Sequence, residues 1–259
     1  MIHNLSPILF QIGSFSIRWY ALAYIFGITL GIFYMRFLAK KTGLKLHPQF
    51  IDSLFCFIII GIIVGGRLGY VLFYDPIEYL HNPIEILKTW HGGMSFHGGA
   101  IGALFAIILV CKHYKLSHWR LLDLVACAAP IGIFLGRIAN FINGELFGKS
   151  TPLPWGVVFS NTGGGDSARH PTQLYEALGE GLLLFMVLNF FLFKYNAYKK
   201  PRMLSSLFCI FYSLFRFGIE FLKEPDPQLG YFFGFLTMGQ LLSLGMLGIG
   251  YMFMNRENK

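Results

Sequence analysis

Residues 52–74 carry the sequence DSLFCFIIIGIIVGGRLGYVLFY, an apolar run in which Arg67 is the one charge beyond Asp52 at its start. A helix of about 20 apolar residues spans the hydrocarbon core of a bilayer. Similar runs, about as long as a membrane span, recur along the chain at 17–38, 95–111, 121–143, 173–193, 203–222 and 232–254. The pattern predicts an all-α polytopic membrane protein with about seven transmembrane helices.

The composition agrees with this fold class. Of the 259 residues, 55% are apolar and 13% charged, and the mean hydropathy is +0.57. Soluble domains carry about 25% charged residues, so a soluble enzyme, a disordered protein and a collagen-like fibre are excluded. The four cysteines lie in or beside apolar runs without a CxxC pair, which is typical of buried thiols. The net charge of +8 shows no basic stripe among exposed aromatics, so we expect no nucleic acid partner.

The basic residues predict the orientation. Seven spans place alternate loops on opposite sides, and one side collects 13 basic residues: Arg36, Lys40, Lys41, Lys45, Lys112, Lys115, Arg120, Lys194, Lys199, Lys200, Arg202, Arg256 and Lys259. The opposite loops hold five, namely Arg18, Lys88, Lys149, Arg169 and Lys223. Cytoplasmic loops are enriched in lysine and arginine, so the N-terminus should be external and the C-terminus cytoplasmic.

The external connections are the longer ones. Residues 144–170 contain two prolines and a triple glycine, and they predict a small extracytoplasmic head with a short strand at Trp155–Phe159. Residues 75–94 include the amphipathic stretch Ile84–Trp90, which predicts an interfacial segment. Without a repeat or a separate soluble region, residues 1–259 should form a single membrane-embedded domain.

Three arginines lie inside the apolar runs. Arg67, Arg137 and Arg216 each follow the inner end of their run by about 13 to 16 residues, which predicts a shared depth roughly 20–24 Å above that boundary. A charge at the bilayer centre costs about 2.5–3.5 kcal/mol, so arginines there indicate a function or a partner that offsets this cost. Because guanidinium groups bind phosphate through a rigid fork of donors, we expect a phosphate site. The alternative is that each side chain snorkels to the outer headgroups.

Polar neighbours accompany these arginines. Arg137, Asn140 and Gly144 share one helix face at i, i+3 and i+7, and Arg67 and Tyr70 form a second polar stripe. The glycines around them equally favour close helix packing, as at Gly61, Gly65, Gly69, Gly132 and Gly136.

A competing interpretation concerns Arg216. Glu220 follows it at i+4, and an ion pair between them would leave the guanidinium less free to hold phosphate.

Residues 91–99, HGGMSFHGG, hold four glycines and should not favour a regular helix. Irregular backbone at membrane depth occurs inside protein or along a wet cavity. His97 lies in this segment, and its imidazole is able to accept a proton near neutral pH, although a membrane histidine is also often a simple hydrogen-bonding residue. The sequence lacks HExxH, GxSxG and GxxxxGK[ST], and its scattered histidines predict no metal site.

The chain resembles bacterial prolipoprotein diacylglyceryl transferases in several motifs that occur in the same order. These are Trp19-Tyr20, GGRLGY at 65–70, GGMSFHGG at 92–99, GRIANFINGE at 136–145, RHPTQLYE at 169–176 and residues 216–226. The chain departs from the common pattern at Ala139, Phe147 and Lys223, where glycine, tryptophan and arginine are frequent.

The resemblance implies a reaction. Such enzymes transfer the sn-1,2-diacylglyceryl group of phosphatidylglycerol to the lipobox cysteine of prolipoprotein signal peptides, forming a thioether and releasing glycerol phosphate without a cofactor. It implies a location in the bacterial cytoplasmic (inner) membrane. Catalysis would fall to His97, as the group that activates the thiol, and to Arg137 and Arg216, which would bind the phosphate. The substrate pocket would be shaped by Tyr20, Arg67, Tyr70, Asn140, Glu145, His170 and Glu220.

Two other functions use the same features differently. A transporter or flippase for an anionic lipid would employ the arginines without chemistry. A scaffolding membrane protein would need neither Arg137 nor His97.

Overall fold

The computed structural model describes residues 1–13, 15–44, 46–73, 76–89, 92–224 and 231–255. Its α-helices are α1 (Trp19–Thr42), α2 (Pro48–Phe73), α3 (Pro76–His81), α4 (Phe96–His113), α5 (His118–Asn143), α6 (Thr172–Glu176), α7 (Leu184–Lys194), α8 (Met203–Glu220) and α9 (Met238–Asn255). Short strands are β1 (Ile8–Ile12), β2 (Phe15–Arg18), β3 (Val157–Val158) and β4 (Ala168–Arg169). Some residues used in the sequence analysis lie outside the described part: Lys45, Tyr74, Trp90, His91, Asp226, Arg256 and Lys259.

The all-α membrane class is confirmed. Among the described residues, five helices are long and apolar enough to cross a membrane: Trp19–Thr42, Gln49–Leu72, His118–Asn143, Thr172–Lys194 and Met203–Glu220. The last of the predicted runs also forms a helix, α9, and the run at 95–111 forms the shorter apolar helix α4. The count of seven membrane crossings stays a prediction, as does the single domain over residues 1–259.

Two compact units make up the structure, one of residues 39–121 and one of residues 1–38 with 122–259. In the first, α2 packs closely along α4. A Cβ added at Gly61 would lie 2.9 Å from the carbonyl carbon of Gly102, and one at Gly69 would lie 2.8 Å from the Cα of Gly98. Glycine is therefore required where the two helices cross, which confirms close helix packing by the Gly61, Gly65 and Gly69 series.

One expectation about the glycine-rich segment was wrong. Gly98 and Gly99 lie inside α4, which begins at Phe96 after Ser95, whose hydroxyl accepts from the Gly98 amide at 3.3 Å. The contact with α2 requires a residue without a side chain, and this packing outweighs the low helix propensity of glycine. Irregular backbone is confined to the preceding residues, where Gly92 and Gly93 have φ of 87° and 76°.

In the second unit, α8 packs along α9. Gly250 allows this approach, because a Cβ there would lie 2.9 Å from the Cβ of Cys209. Leu184, Leu188 and Leu192 lie one turn apart on α7 and are fully buried. The start of α8 is held by buried Asp123 of α5, which accepts the backbone N–H groups of Arg202 and Ser205, each at 2.8 Å.

The segment at residues 144–170 is built on a small hairpin. Strand β3 pairs with β4 in antiparallel register, Val157 opposite Arg169 and Val158 opposite Ala168, so the short strand predicted there is confirmed. The chain's N-terminus joins this hairpin through a parallel bridge between Ile2 and Val158. His3 is buried, and its Nε2 lies 2.8 Å from the carbonyl oxygen of Phe141. No pattern in the sequence predicted that the N-terminus docks here.

Candidate active site

The centre of the second unit is a cluster of ionised side chains from three helical elements. Arg137 comes from α5, Glu176 from the end of α6, and Arg216 from α8. Glu180 lies in a π-helical segment, Ala177–Leu183, which continues α6 into α7. Such segments are rare and are found frequently at functional sites.

Each arginine contacts both buried carboxylates. The two terminal nitrogens of Arg137 lie 3.2 Å from Glu176 Oε2 and 3.2 Å from Glu180 Oε2. Arg216 pairs through Nη1 with Glu176 Oε1, and the same nitrogen lies 3.6 Å from Glu180 Oε1. The two carboxylates therefore fix both guanidinium groups side by side.

The cluster extends beyond the end of α8. Arg216 Nη2 lies 3.1 Å from Glu220 Oε2, so the ion pair weighed as a competing interpretation is formed. The other oxygen of Glu220 accepts the hydroxyl of Thr237 at 3.1 Å. Lys223 adds a third cation, with its Nζ 3.2 Å from Glu176 Oε1. Among the described residues the cluster thus holds three basic side chains and three carboxylates.

Burial gives the cluster a direction. The side chains of Glu176 and Glu180 are 0% exposed, whereas those of Arg137 and Arg216 are 19% and 17% exposed. The carboxylates therefore lie behind the guanidinium groups, which present their remaining surface outward. A Cβ at Gly136, which precedes Arg137 in the chain, would meet no atom within 4 Å, so there is open space beside the helix at Gly136. The arrangement suits an anion that approaches two preorganised cations.

A second polar group surrounds the C-terminal end of α5. Buried Asn140 donates through Nδ2 to Glu145 Oε1 at 2.7 Å, and Asn143 donates to the same oxygen at 3.2 Å. Buried Gln173 binds the backbone carbonyl of Glu145 at 2.7 Å. On α1, the hydroxyls of Tyr20 and Tyr24 lie 3.4 Å apart, and Tyr24 interacts electrostatically with Glu145.

His170 lies between β4 and α6. Its Nδ1 is 3.3 Å from the hydroxyl of Tyr175, which also accepts the indole N–H of Trp155 at 2.7 Å. The backbone N–H of His170 donates to Lys149 at 3.0 Å and its carbonyl accepts from Gly148 at 2.8 Å. The histidine is therefore fixed on the segment at residues 144–170.

Arg67 belongs to the other compact unit and has different partners. It is buried, and it donates to the carbonyl oxygens of Ile86 at 2.9 Å, Gly92 at 2.5 Å and Gly93 at 3.1 Å, with further bonds to Glu85 and Lys88. These bonds tie residues 85–88 and 92–93 to α2, a structural role that the sequence did not reveal. A part in lipid binding remains a prediction for Arg67.

Tyr70 lies beside the backbone of Gly93, one of the residues that Arg67 binds. A Cβ at Gly93 would lie 2.8 Å from the Tyr70 ring and 2.7 Å from Arg67 Nη1, which explains the glycine. The backbone of His97 lies in the first turn of α4, and its side chain is outside the described part of the structure. Its role in thiol activation stays a prediction.

Sequence reasoning missed three members of the ion cluster, namely Glu176, Glu180 and Lys223. A signal for two of them was present, since Glu176 and Glu180 are acidic residues inside the predicted run at 173–193, four positions apart. Ionisable residues within a span almost always pair with one another or face a cavity. Which arginines they would meet required the tertiary structure.

Lys223 differs from the arginines because it titrates. Burial and the neighbouring Arg216 guanidinium hold the pKa of Lys223 below its ordinary value, although Glu176 acts in the opposite direction. Its ammonium is therefore less stable than that of a lysine in water.

These features define the class: a multi-pass α-helical membrane protein with a buried ion cluster that presents two guanidinium groups. The family described as prolipoprotein diacylglyceryl transferase matches residues 7–256. The chain belongs to this family.

Relatives agree over nearly the full length. A phosphatidylglycerol–prolipoprotein diacylglyceryl transferase of Wolbachia pipientis wMel is 53% identical over 250 residues, covering 95% of this chain and 93% of the relative. Proteins of the same name are 50% identical in Rickettsia bellii (strain OSU 85-389), over 95% of this chain and 93% of the relative, and 48% identical in Rickettsia typhi (strain ATCC VR-144 / Wilmington), over 100% and 99%.

Proposed function

We propose that the chain transfers the sn-1,2-diacylglyceryl group of phosphatidylglycerol to the lipobox cysteine of prolipoproteins. A sulfur–carbon bond forms, the carbon–oxygen bond to the phosphate breaks, and glycerol phosphate leaves with the bonding electrons. Family membership and the names of the relatives support this reaction. Neither favours transport of an anionic lipid.

The paired arginines are the observation that carries the chemistry. Arg137 and Arg216 contact the same two buried carboxylates and are more exposed than either. A phosphate on this surface gains negative charge as the carbon–oxygen bond breaks. Cations already held in place stabilise that charge without reorganising, which lowers the barrier.

The remaining roles follow the motifs. His97 would activate the thiol, because a thiolate is the attacking nucleophile. Tyr20, Asn140, Glu145, His170 and Glu220 would shape the lipid pocket, together with Arg67 and Tyr70. Both substrates are amphiphiles, so the enzyme would work in the bacterial inner membrane, with an external N-terminus and a cytoplasmic C-terminus.

Arg137→Lys tests the proposal. Lysine keeps the positive charge and loses the rigid fork that contacts both carboxylates. A synthetic lipobox peptide is incubated with the purified protein and phosphatidylglycerol in detergent, and its mass is measured. We expect a diacylglyceryl-sized gain on cysteine with the parent protein, at least a tenfold slower gain with Arg137→Lys, and no change with Arg120→Lys, which alters an exposed arginine. A folded parent protein that adds no mass would contradict the function.

A further inference from the structure

Lys223 is anchored where the ion cluster meets the segment at residues 144–170. Lys223 follows the end of α8, and its backbone N–H donates to the carbonyl of Glu220 at 3.2 Å. Its backbone also forms an antiparallel β-bridge with Gly148. The residue is 9% exposed. Its ammonium therefore has little access to water, and its charge depends on the neighbouring side chains.

Those neighbours do not fully compensate the charge. Lys223 Nζ contacts Glu176 Oε1 at 3.2 Å, but Arg137 and Arg216 also bind this carboxylate. The charged groups that act on Lys223 are Glu176 from α6, Arg137 from α5, and Arg216 and Glu220 from α8. Burial and the two like charges outweigh the attraction of Glu176 and Glu220, so the ammonium is less favourable in the free protein than in water.

An incoming phosphate changes this balance. Its negative charge, added beside these side chains, favours an additional proton on a nearby base. The arginines are already fully protonated at any relevant pH and take up none. Lys223 shares Glu176 with both arginines, so it is placed to respond to an anion that binds them.

We propose that protonation of Lys223 is coupled to binding of the anionic phosphate headgroup at the Arg137–Arg216 pair. On binding, Nζ takes one proton from solvent and becomes an ammonium. On release of the phosphate product, that proton returns to solvent. The proposal rests on the proposed function and adds a titratable member to its phosphate site.

The coupling has a defined sign. In the free protein the pKa of Lys223 lies below its ordinary value, and the bound anion raises it. Between those two pKa values binding consumes a proton, so affinity falls as the pH rises, by at most about tenfold per pH unit for one proton. Below the lower value Lys223 is charged in both states and affinity no longer depends on its titration.

Calorimetry of a short-chain phosphatidylglycerol tests the coupling. The purified full chain in detergent is titrated with dioctanoyl phosphatidylglycerol in buffers of different ionisation enthalpy, between about pH 6 and the ordinary lysine pKa of about 10.4. The proton uptake is the slope of the binding enthalpy against the buffer's ionisation enthalpy. We expect uptake approaching one proton and an affinity that declines with pH.

Lys223→Arg is the matched variant, because arginine retains the charge and does not titrate in this range. We expect it to bind without proton uptake and with a flat pH profile. Lys223→Gln should also take up no proton, with an affinity at least tenfold weaker than the parent at low pH. If Lys223→Arg takes up the same proton as the parent, another group, such as Glu180, is the acceptor and the proposal is wrong.

Failure of the proposed function looks different. A parent protein that transfers diacylglyceryl to the peptide and binds the lipid without proton uptake overturns the coupling alone. A folded parent protein that shows no transfer overturns the proposed function. Dioctanoyl phosphatidylcholine, whose zwitterionic headgroup has no net charge, should give no comparable uptake in either case.

Discussion

The intramembrane arginines illustrate two ways to bury a guanidinium group. Arg137 and Arg216 are paired with carboxylates, whereas Arg67 donates to backbone carbonyl oxygens of five residues between Glu85 and Gly93. The first arrangement preserves an outward surface for an anion. In the second arrangement, the guanidinium N–H groups donate to the protein's own backbone. Arginines at similar places within their apolar runs therefore have different structural partners.

Removing Glu180 should destabilise the protein strongly. Glu180→Ala leaves Arg137 with one carboxylate partner in a buried cluster, and breaking a buried pair costs about 3–5 kcal/mol. Thermal unfolding in detergent measures the loss. Glu224→Ala is the control, since Glu224 pairs with Arg169 at 2.7 Å but is 51% exposed, and such pairs contribute about 0–1 kcal/mol. Equal losses for both variants would contradict the buried cluster.

Arg67→Lys should destabilise the segment between Glu85 and Gly93, whose backbone carbonyls Arg67 binds. Lysine has no planar fork and cannot reach the carbonyls of Ile86, Gly92 and Gly93 together. Hydrogen exchange followed by mass spectrometry should show faster exchange in residues 83–89. Arg120→Lys in the same unit should leave that exchange unchanged, and unchanged exchange in Arg67→Lys would refute the structural role.

At the scale of the elements, packing overrides local propensity. The glycines of α4 are poor helix formers, yet they lie in a regular helix because α2 crosses them at backbone distance. The helix formed by α6, the π segment and α7 is continuous. It places Glu176 and Glu180 in contact with the same two arginines, Arg137 and Arg216.

Gly102→Ala should disrupt the crossing of α2 and α4. The added Cβ would lie 2.8 Å from the carbonyl carbon of Gly61 and 3.1 Å from the Cα of Gly65. Overpacking of this kind costs about 1–3 kcal/mol. Gly245→Ala on α9 is the control, because a Cβ there meets nothing within 4 Å, and alanine stabilises a helix by roughly 0.5–1 kcal/mol. The unfolding temperatures should therefore change in opposite directions.

At the scale of the whole molecule, charge predicts orientation. The loops assigned to the cytoplasm carry thirteen basic residues and the opposite loops five. A fluorescent protein that folds only in the cytoplasm should therefore fluoresce when fused to the C-terminus. A periplasmic phosphatase fused at the same place should be inactive. Phosphatase activity there would overturn the orientation and would place the Arg137–Arg216 pair on the other side.

Much of the fold could be predicted because hydropathy acts locally. A run such as 203–222 became helix Met203–Glu220 because a backbone in lipid must satisfy its own hydrogen bonds. The family could also be predicted from the sequence. The motifs at residues 136–145 and 169–176 are recognised from the order of their residues and need no tertiary structure.

The sequence by itself determined the helices, the membrane class, the family and the presence of buried arginines. Only the tertiary structure decided their partners: Glu176 and Glu180 for Arg137 and Arg216, and backbone carbonyls between Glu85 and Gly93 for Arg67. Hydropathy and charge cost are properties of single residues along the chain. Pairing depends on distances of a few ångströms between side chains such as those of Arg137 and Glu180, which are 43 positions apart, and helix packing sets those distances.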